Sequence, residues 1–367
     1  MHGDLLPLIE RLVSIESVNP TLIPGAPGEA EIGAFVAGWL RQRGLEVSVE
    51  DVAPGRPNVT AVARGSGGGG SLLLNAHTDT VGVAGMRDGL TPRVEDGRLY
   101  GRGAYDMKAS LAVLMLLTVE AAERRLPGDV ILTAVADEEA ASIGTEAVAR
   151  NMRADAAIVA EPTELGVAVA HRGFTWVEIE VRGVAAHGSR YDLGVDAIAR
   201  MGHVLVGLEQ LERAFAETPR PHPLLGRASV HAALIDGGEG ISTYPDRCVL
   251  QLERRTLPGE TAEMAEREAG ALLGDLDGSV SVRFSRNPLE TSPDEEIVRT
   301  LSRHAGVAEL IGVPFWTDAA LLAEAGIPTA VYGPAGDGAH ADVEWVDLAT
   351  VERCYDVLLA TMIDFCG

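Results

Sequence analysis

Histidine and carboxylate side chains recur in this chain where strands should end. His77 closes the apolar run Leu72-Leu73-Leu74-Asn75-Ala76 and is followed by Thr78-Asp79. Residues i and i+2 share a face of extended chain, so Asp79 can reach the imidazole, fix its tautomer and leave the other ring nitrogen for a metal. On its own the pair reads first as a solvated turn after a core strand. Asp106 lies in Leu99-Tyr100-Gly101-Arg102-Gly103-Ala104-Tyr105-Asp106-Met107-Lys108, where the glycines permit close backbone approach and a helix starts at once. There it is either an N-cap or a group with a second role. Asp137-Glu138-Glu139 and Glu161-Pro162-Thr163 each follow a buried strand, and His340 comes late, in Gly336-Asp337-Gly338-Ala339-His340-Ala341-Asp342.

Acidic and imidazole groups gathered at one sheet edge repel or strand one another unless a cation sits among them. His77, Asp106, Glu139, Glu161 and His340 suit a pair of divalent transition ions, zinc before others. One carboxylate can bridge two ions held about 3.5–4 Å apart. Glu138 is left over beside a ligand, the place for a general base.

Elements must deliver these groups to one place. Residues 5–15 and 29–40 carry helical spacing, with Gly44 as a stop, and strands are expected at 45–52 and 58–63. The glycine-rich run 65–71 lacks a Lys-Ser/Thr ending and leads into a strand, so it reads as a flexible hairpin loop rather than a phosphate cradle. Residues 72–77, 129–136 and 155–160 read as strands buried on both faces of a parallel sheet, and 109–122 as a buried helix. From Phe174 the pattern alternates, with Val177, Ile179 and Val181 opposite Glu178, Glu180 and Arg182. Similar strands at 228–235, 248–254 and 279–285, with helices at 195–215 and 260–273, make a small α+β unit. It interrupts an α/β domain that resumes near Asn287, with helices at 295–304, 318–325 and 347–363 and a strand at 328–332.

The 367 residues suggest two domains or one with a large insertion. No apolar run reaches membrane-spanning length, and Met1-His2-Gly3-Asp4 lacks the features of a signal peptide, so no membrane association and a cytoplasmic location are expected. Cys248, Cys354 and Cys366 offer neither a disulfide framework nor a zinc ribbon. A net charge of −24 without a basic stripe argues against nucleic acid.

The ordered set Asn75-Ala76-His77-Thr78-Asp79, Gly101-Arg102-Gly103-x-x-Asp106-Met107-Lys108, Asp137-Glu138-Glu139, Ala160-Glu161-Pro162, Gly183-x-x-Ala186-His187-Gly188 and Gly338-Ala339-His340 resembles the aminoacylase, carboxypeptidase and desuccinylase family of zinc-dependent amidohydrolases, acetylornithine deacetylase and succinyl-diaminopimelate desuccinylase among them. The resemblance runs from His77 to the end of the chain. It implies a mainly parallel-sheet α/β catalytic domain from residues 1–172 and 288–367, with an inserted four-stranded, two-helix lid or dimerisation domain at 173–287. It implies that His77 and Glu161 hold one Zn2+, Glu139 and His340 the other, and that Asp106 bridges them, with Co2+ or Mn2+ as alternative metals. Asp79 would support His77, and Glu138 would be the base.

The activity implied is removal of an acetyl or succinyl group from an amino acid such as ornithine, lysine or diaminopimelate, in amino-acid biosynthesis, by a hydroxide held between the zinc ions. A carboxypeptidase or dipeptidase is the alternative within the family, and a non-catalytic metal-dependent binding protein the alternative outside it; a binding protein has no need of Glu138. The family also implies a homodimer through the lid. His187 is implied as a second donor to the tetrahedral oxygen, in its own or the partner subunit's site, and Arg255 as a grip on the substrate carboxylate. Both also read plainly, His187 as a turn histidine and Arg255 as a solvated strand end. The chain departs from many relatives at Gly240-Ile241-Ser242-Thr243-Tyr244-Pro245, where they carry an asparagine. Trp316-Thr317-Asp318 and Tyr332-Gly333-Pro334 resemble segments lining the site. His2, His203, His222, His231 and His304 lack motif neighbours, and His171 is placed in the core or at the hinge.

Overall fold

The computed structural model describes residues 3–219 and 221–367; His2 lies outside them. The chain divides into two compact units, one of Met1–Val169, Thr291–Ile311 and Thr317–Gly367, the other of Ala170–Glu290 and Gly312–Trp316. The boundaries read from sequence lie three residues away, and no sequence signal marked the 312–316 segment as part of the second unit.

The first unit is built on a mostly parallel sheet. Six of its strands run in the order Glu46–Ala53, Arg56–Ala63, Val130–Val135, Leu72–His77, Ala156–Val159 and Thr329–Val331. The first three are antiparallel neighbours and the last four are parallel ones. Leu72–His77, Val130–Val135 and Ala156–Val159 are buried along their whole length, the continuous apolar pattern of a sheet covered on both faces. The helices Leu5–Ser14, Ala30–Arg41, Ala109–Arg124, Glu296–Ala305 and Leu348–Cys366 share one core with this sheet.

Three local expectations change. The run 65–71 is not a hairpin loop, because Val130–Val135 lies between the strands it joins. A Cβ on Gly65 would sit 2.2 Å from the Pro127 carbonyl oxygen, and one on Gly69 would sit 2.2 Å from that of Cys366. Close packing, not flexibility, accounts for these glycines. A helix at Ile143–Asn151 escaped notice; it follows Ser142, which is in the left-handed region. A small antiparallel sheet also forms from Gly336–Asp337, Trp345–Asp347, Arg98–Tyr100 and Arg93–Glu95. These strands are too short to show periodicity, yet they pair Trp345 with Tyr100 and so bring the Asp106 loop beside the His340 loop.

The second unit is a four-stranded antiparallel sheet in the order Ser229–Gly237, Arg247–Thr256, Gly173–Arg182 and Gly278–Arg286. The helices Ala197–Ala216 and Ala262–Leu273 pack on one face, against Val177, Ile179, Val181, Leu250 and Leu252. Thr261 caps the second helix through its side chain, and Asp196 caps the first.

Candidate metal centre

Strand register explains why distant carboxylates meet. His77 pairs with Val135 on one side, so Asp137-Glu138-Glu139 emerges just beyond the level of His77. Asn75 pairs with Val159 on the other, which sets Glu161 level with His77. All three groups therefore leave the carboxyl edge of a parallel sheet, where such sheets bind ligands. Asp137 adopts φ 73°, and its carbonyl accepts from the N–H groups of Ala140, Ala141 and Ser142 at 3.3, 3.1 and 2.5 Å. That tight turn presents Glu138 and Glu139 together.

Asp106 is the junction. Its Oδ1 lies 3.0 Å from His77 Nε2, and its Oδ2 lies 3.5 Å from His340 Nε2. Glu139 Oε2 is 2.9 Å from His340 Nε2, and Glu161 Oε1 is 3.8 Å from His77 Nε2. Asp106 is not a helix cap: the Ala109–Arg124 helix begins after Lys108. Potential ligand atoms of His77, Glu138 and Glu161 lie within 4.8 Å of one another, as do those of His77, Asp106 and Glu139. Glu138 is as near as a ligand would be, so distance alone does not separate base from ligand.

His77 Nδ1 is 2.9 Å from the Asp79 carbonyl oxygen and 3.5 Å from Asp79 Oδ1. The i,i+2 pairing thus acts through the backbone oxygen as well as the carboxylate. Either contact keeps a proton on Nδ1, so Nε2 is the ring nitrogen turned to Asp106.

The electrostatics ask for positive charge. Burial would lower the pKa of His77, but hydrogen bonds to Asp106 and Asp79 and the charge of Glu161 hold it well above the usual range. Hydrogen bonds to Asp106 and Glu139 push His340 up to about 10. Burial would raise Asp106, yet the two histidines hold it below the usual carboxylate range. Burial, then Glu161, pushes Glu138 well above normal; burial, then Asp106, does so for Glu161 and raises Glu139. Histidines that retain protons and glutamates that acquire them are what a carboxylate-rich cavity does without a cation. Glu161 Oε1 is buried and has no hydrogen-bond partner. An orphaned buried oxygen beside two imidazoles and three further carboxylates fits a divalent-ion site.

Several supporting residues escaped sequence reasoning. Asn19 Nδ2 donates to Asp79 Oδ2 at 2.7 Å and to Asp137 Oδ1 at 3.1 Å. Asp79 also accepts the N–H groups of Glu138 and Glu139, at 3.1 and 3.2 Å. Arg56 is buried between Glu29 and Asp137, paired with both. Arg102 and Glu344 form a buried pair at 2.7 Å beneath the Asp106 loop. Asp318 accepts from Thr145 Oγ1 at 2.6 Å, and burial pushes its carboxyl up to about 6. Asn19 and Arg56 have no motif around them in the sequence, and only long-range pairing gives them a role.

His187 and Arg255 belong to the second unit. His187 is exposed; its Nδ1 accepts from the Ser189 N–H at 3.2 Å and lies 2.8 Å from Ser189 Oγ. A neutral ring accepting at Nδ1 carries its proton on Nε2. His187 also bridges Thr243, and Gly188 N–H donates to Ser242 O at 2.7 Å, so the divergent 240–245 turn braces the His187 segment. Arg255 Nε donates to Glu253 Oε1 at 2.7 Å, and the guanidinium lies over Phe174. Strand alternation turns Arg254 the other way, into the core beside Phe215, where Glu260 and Glu268 pair with it. Trp316 Nε1 donates to Asn287 O, and its ring packs edge-on against His171, which is buried in the same unit.

The sequence profile of peptidase family M20/M25/M40 matches residues 73–364. An acetylornithine deacetylase of Myxococcus xanthus is 33% identical over 366 residues, covering 95% of this chain and 93% of that protein. An N-formyl-4-amino-5-aminomethyl-2-methylpyrimidine deformylase of Bacillus subtilis is 29% identical, covering 99% and 95%. The crystal structure of a dinuclear metal-binding peptidase of Bacillus subtilis superposes with a TM-score of 0.73 at 17% identity, over 99% of this chain and 98% of that one.

Proposed function

From its membership of peptidase family M20/M25/M40, to which this chain belongs as a hydrolase of amide bonds, we propose that it removes a small N-acyl group from an amino acid at a two-metal centre. The observation that carries this reading is the Asp106 carboxylate, one oxygen turned to His77 and the other to His340, beside the partnerless Glu161 Oε1. On this reading His77 and Glu161 hold one ion, Glu139 and His340 the other, and Asp106 spans them, with zinc the metal that suits the donors. Bound divalent ions supply Lewis acidity, polarising the scissile carbonyl and making water a stronger acid.

The chain's own groups do the rest. Asp79 holds the His77 tautomer through Nδ1. Glu138, set beside the ligands by the Asp137 turn, takes a proton from the attacking water and delivers it to the leaving nitrogen. Its burial favours the protonated form that the second transfer needs. His187, with Nε2 as donor, is assigned to the developing oxyanion, and Arg255 to the substrate carboxylate.

The likeness to an acetylornithine deacetylase favours an acetyl group on ornithine, and the wider proposal extends to a succinyl group and to lysine or diaminopimelate. The deformylase relative keeps formyl amides in view. A homodimer through the second unit is supported by its edge strand Ser229–Gly237, exposed from His231 onward and carrying Leu234 and Ile235. The cysteines are buried and unpaired, which suits a reducing cytoplasm, and no described helix is long and apolar enough to cross a membrane.

The test is amine release from N-acetyl, N-succinyl and N-formyl amino acids and a few dipeptides, with zinc-loaded and chelator-treated protein. Chelator-sensitive release from one acyl class is expected. Release from dipeptides alone would move the assignment to a peptidase, and silence throughout with two ions bound would overturn the deacylase reading.

A further inference from the structure

The two loops that supply Asp106 and His340 are tied together by a pair of side chains that touch neither imidazole. Glu344, 1% exposed, accepts four donors. Its Oε1 takes the backbone N–H groups of Tyr105 and Asp106 at 2.9 and 3.1 Å, and its Oε2 takes Arg102 Nη1 and the Gly103 N–H at 2.7 and 3.1 Å. Arg102, 2% exposed, also donates to two fixed carbonyls, through Nη2 to Ala341 at 2.9 Å and through Nε to Gly82 at 3.0 Å. Ala341 follows His340, which sits at φ 64° in a turn closed by the Ala341 N–H to the Gly338 carbonyl.

We propose that Glu344, acting with Arg102, is a positioning residue that sets the separation of the two metal subsites. One of its oxygens fixes the peptide that carries Asp106, and the other fixes the guanidinium that fixes the chain beside His340. This rests on the two-metal reading above. A carboxylate is required because both oxygens must accept. In Glu344→Gln the amide nitrogen meets either the Tyr105 and Asp106 N–H groups or Arg102 and Gly103, donor against donor in both cases. The Asp106–His340 spacing then relaxes, while His77 keeps its Nδ1 contact with the Asp79 carbonyl oxygen. The ion held by His340 and Glu139 should suffer more, because the placement of both Asp106 and His340 is loosened, than the ion held by His77 and Glu161, which shares only Asp106.

The measurement is a competition titration of zinc against a chromogenic chelator, alongside thermal melting. Wild-type protein should take up two ions per chain. Folded Glu344→Gln should bind the second ion about 10–100-fold more weakly and lose clearly less affinity for the first. Its kcat at limiting zinc should fall and recover with excess zinc, at unchanged KM. A merely structural role would lower the melting temperature and leave the ratio of the two affinities alone, and that result overturns the proposal. If Glu344→Gln does not fold, Arg102→Lys carries the same test, because an ammonium cannot reach Glu344, Ala341 and Gly82 together; equal loss of both ions, or of neither, refutes the assignment. Wild-type protein binding fewer than two ions would instead bring down the two-metal reading and the positioning role with it.

Discussion

Around Arg56, Glu29 and Asp137 share one guanidinium, and Asn19 donates to the same Asp137 oxygen that Arg56 reaches. Burial raises the Glu29 pKa and Arg56 offsets part of that rise, while both acids hold the arginine charged against its own burial. A short distance away in the same unit, Asp106, Glu138, Glu139 and Glu161 face only two imidazoles, and one of their oxygens has no partner. Both clusters are buried and acidic. The first carries its own cation and is complete as folded, whereas the second is complete only with charge from outside. Burial of charge therefore does not by itself mark a functional site; the balance of the charges does.

The sharpest way to break this comparison is to remove a group that the second cluster needs for chemistry and not for charge. Glu138→Ala should cut kcat by about 10²–10⁴-fold while zinc content, read by atomic absorption, stays at the wild-type value. Loss of metal with activity would make Glu138 a ligand and merge its role with that of Glu139. In the arginine-centred cluster, Arg56→Met should cost about 3–5 kcal/mol in denaturant unfolding, because it strands two buried carboxylates. A cost near zero would mean water reaches Glu29.

A milder effect is expected at the link between the clusters. Asn19→Ala removes the donor shared by Asp79 and Asp137 and should cost about 1–3 kcal/mol. Zinc affinity should weaken with it, because the Glu138-Glu139 turn hangs from Asp79.

The smallest effect is one of pH. In metal-free protein Glu138, Glu139, Glu161 and Asp318 have raised pKa values, so the folded state binds protons more tightly than the unfolded one and gains stability as pH falls towards the usual carboxylate range. His77 and His340 are raised as well; their stabilisation is full below about pH 6.5 and, for His340, is lost as pH rises through about 10. Asp106, being depressed, is ionised in both states across this range. The melting temperature of the metal-free protein should therefore rise on going from about pH 9 to about pH 6, and zinc should flatten or reverse the trend.

What the sequence showed and what it hid divide along a physical line. His77, the Asp137-Glu138-Glu139 run and Glu161 were legible because each follows an apolar strand, and strand ends are visible as breaks in a local pattern. The alternation after Phe174 gave the second sheet for the same reason. Asn19, Arg56, Arg102 and Glu344 were not legible as site residues, since the pairings that matter reach 20 or more positions along the chain and the local neighbours are ordinary. The glycine run misled because close packing and flexibility favour the same residue. Segments of two or three residues, such as those pairing Trp345 with Tyr100, fall below the length at which periodicity exists.

The order in which the cluster's members occur also bears on how the protein is made. His77 and His340 stand 263 positions apart (340 − 77), and the whole of Ala170–Glu290 is threaded between Glu161 and the last histidine. A ribosome therefore completes the sheet strands, the carboxylates and the entire second unit before it releases His340. No fragment that stalls or is cut before that point holds the full set of groups around Asp106. Assembly of the full centre thus waits for His340, and a complete set of groups certifies a chain read past that residue.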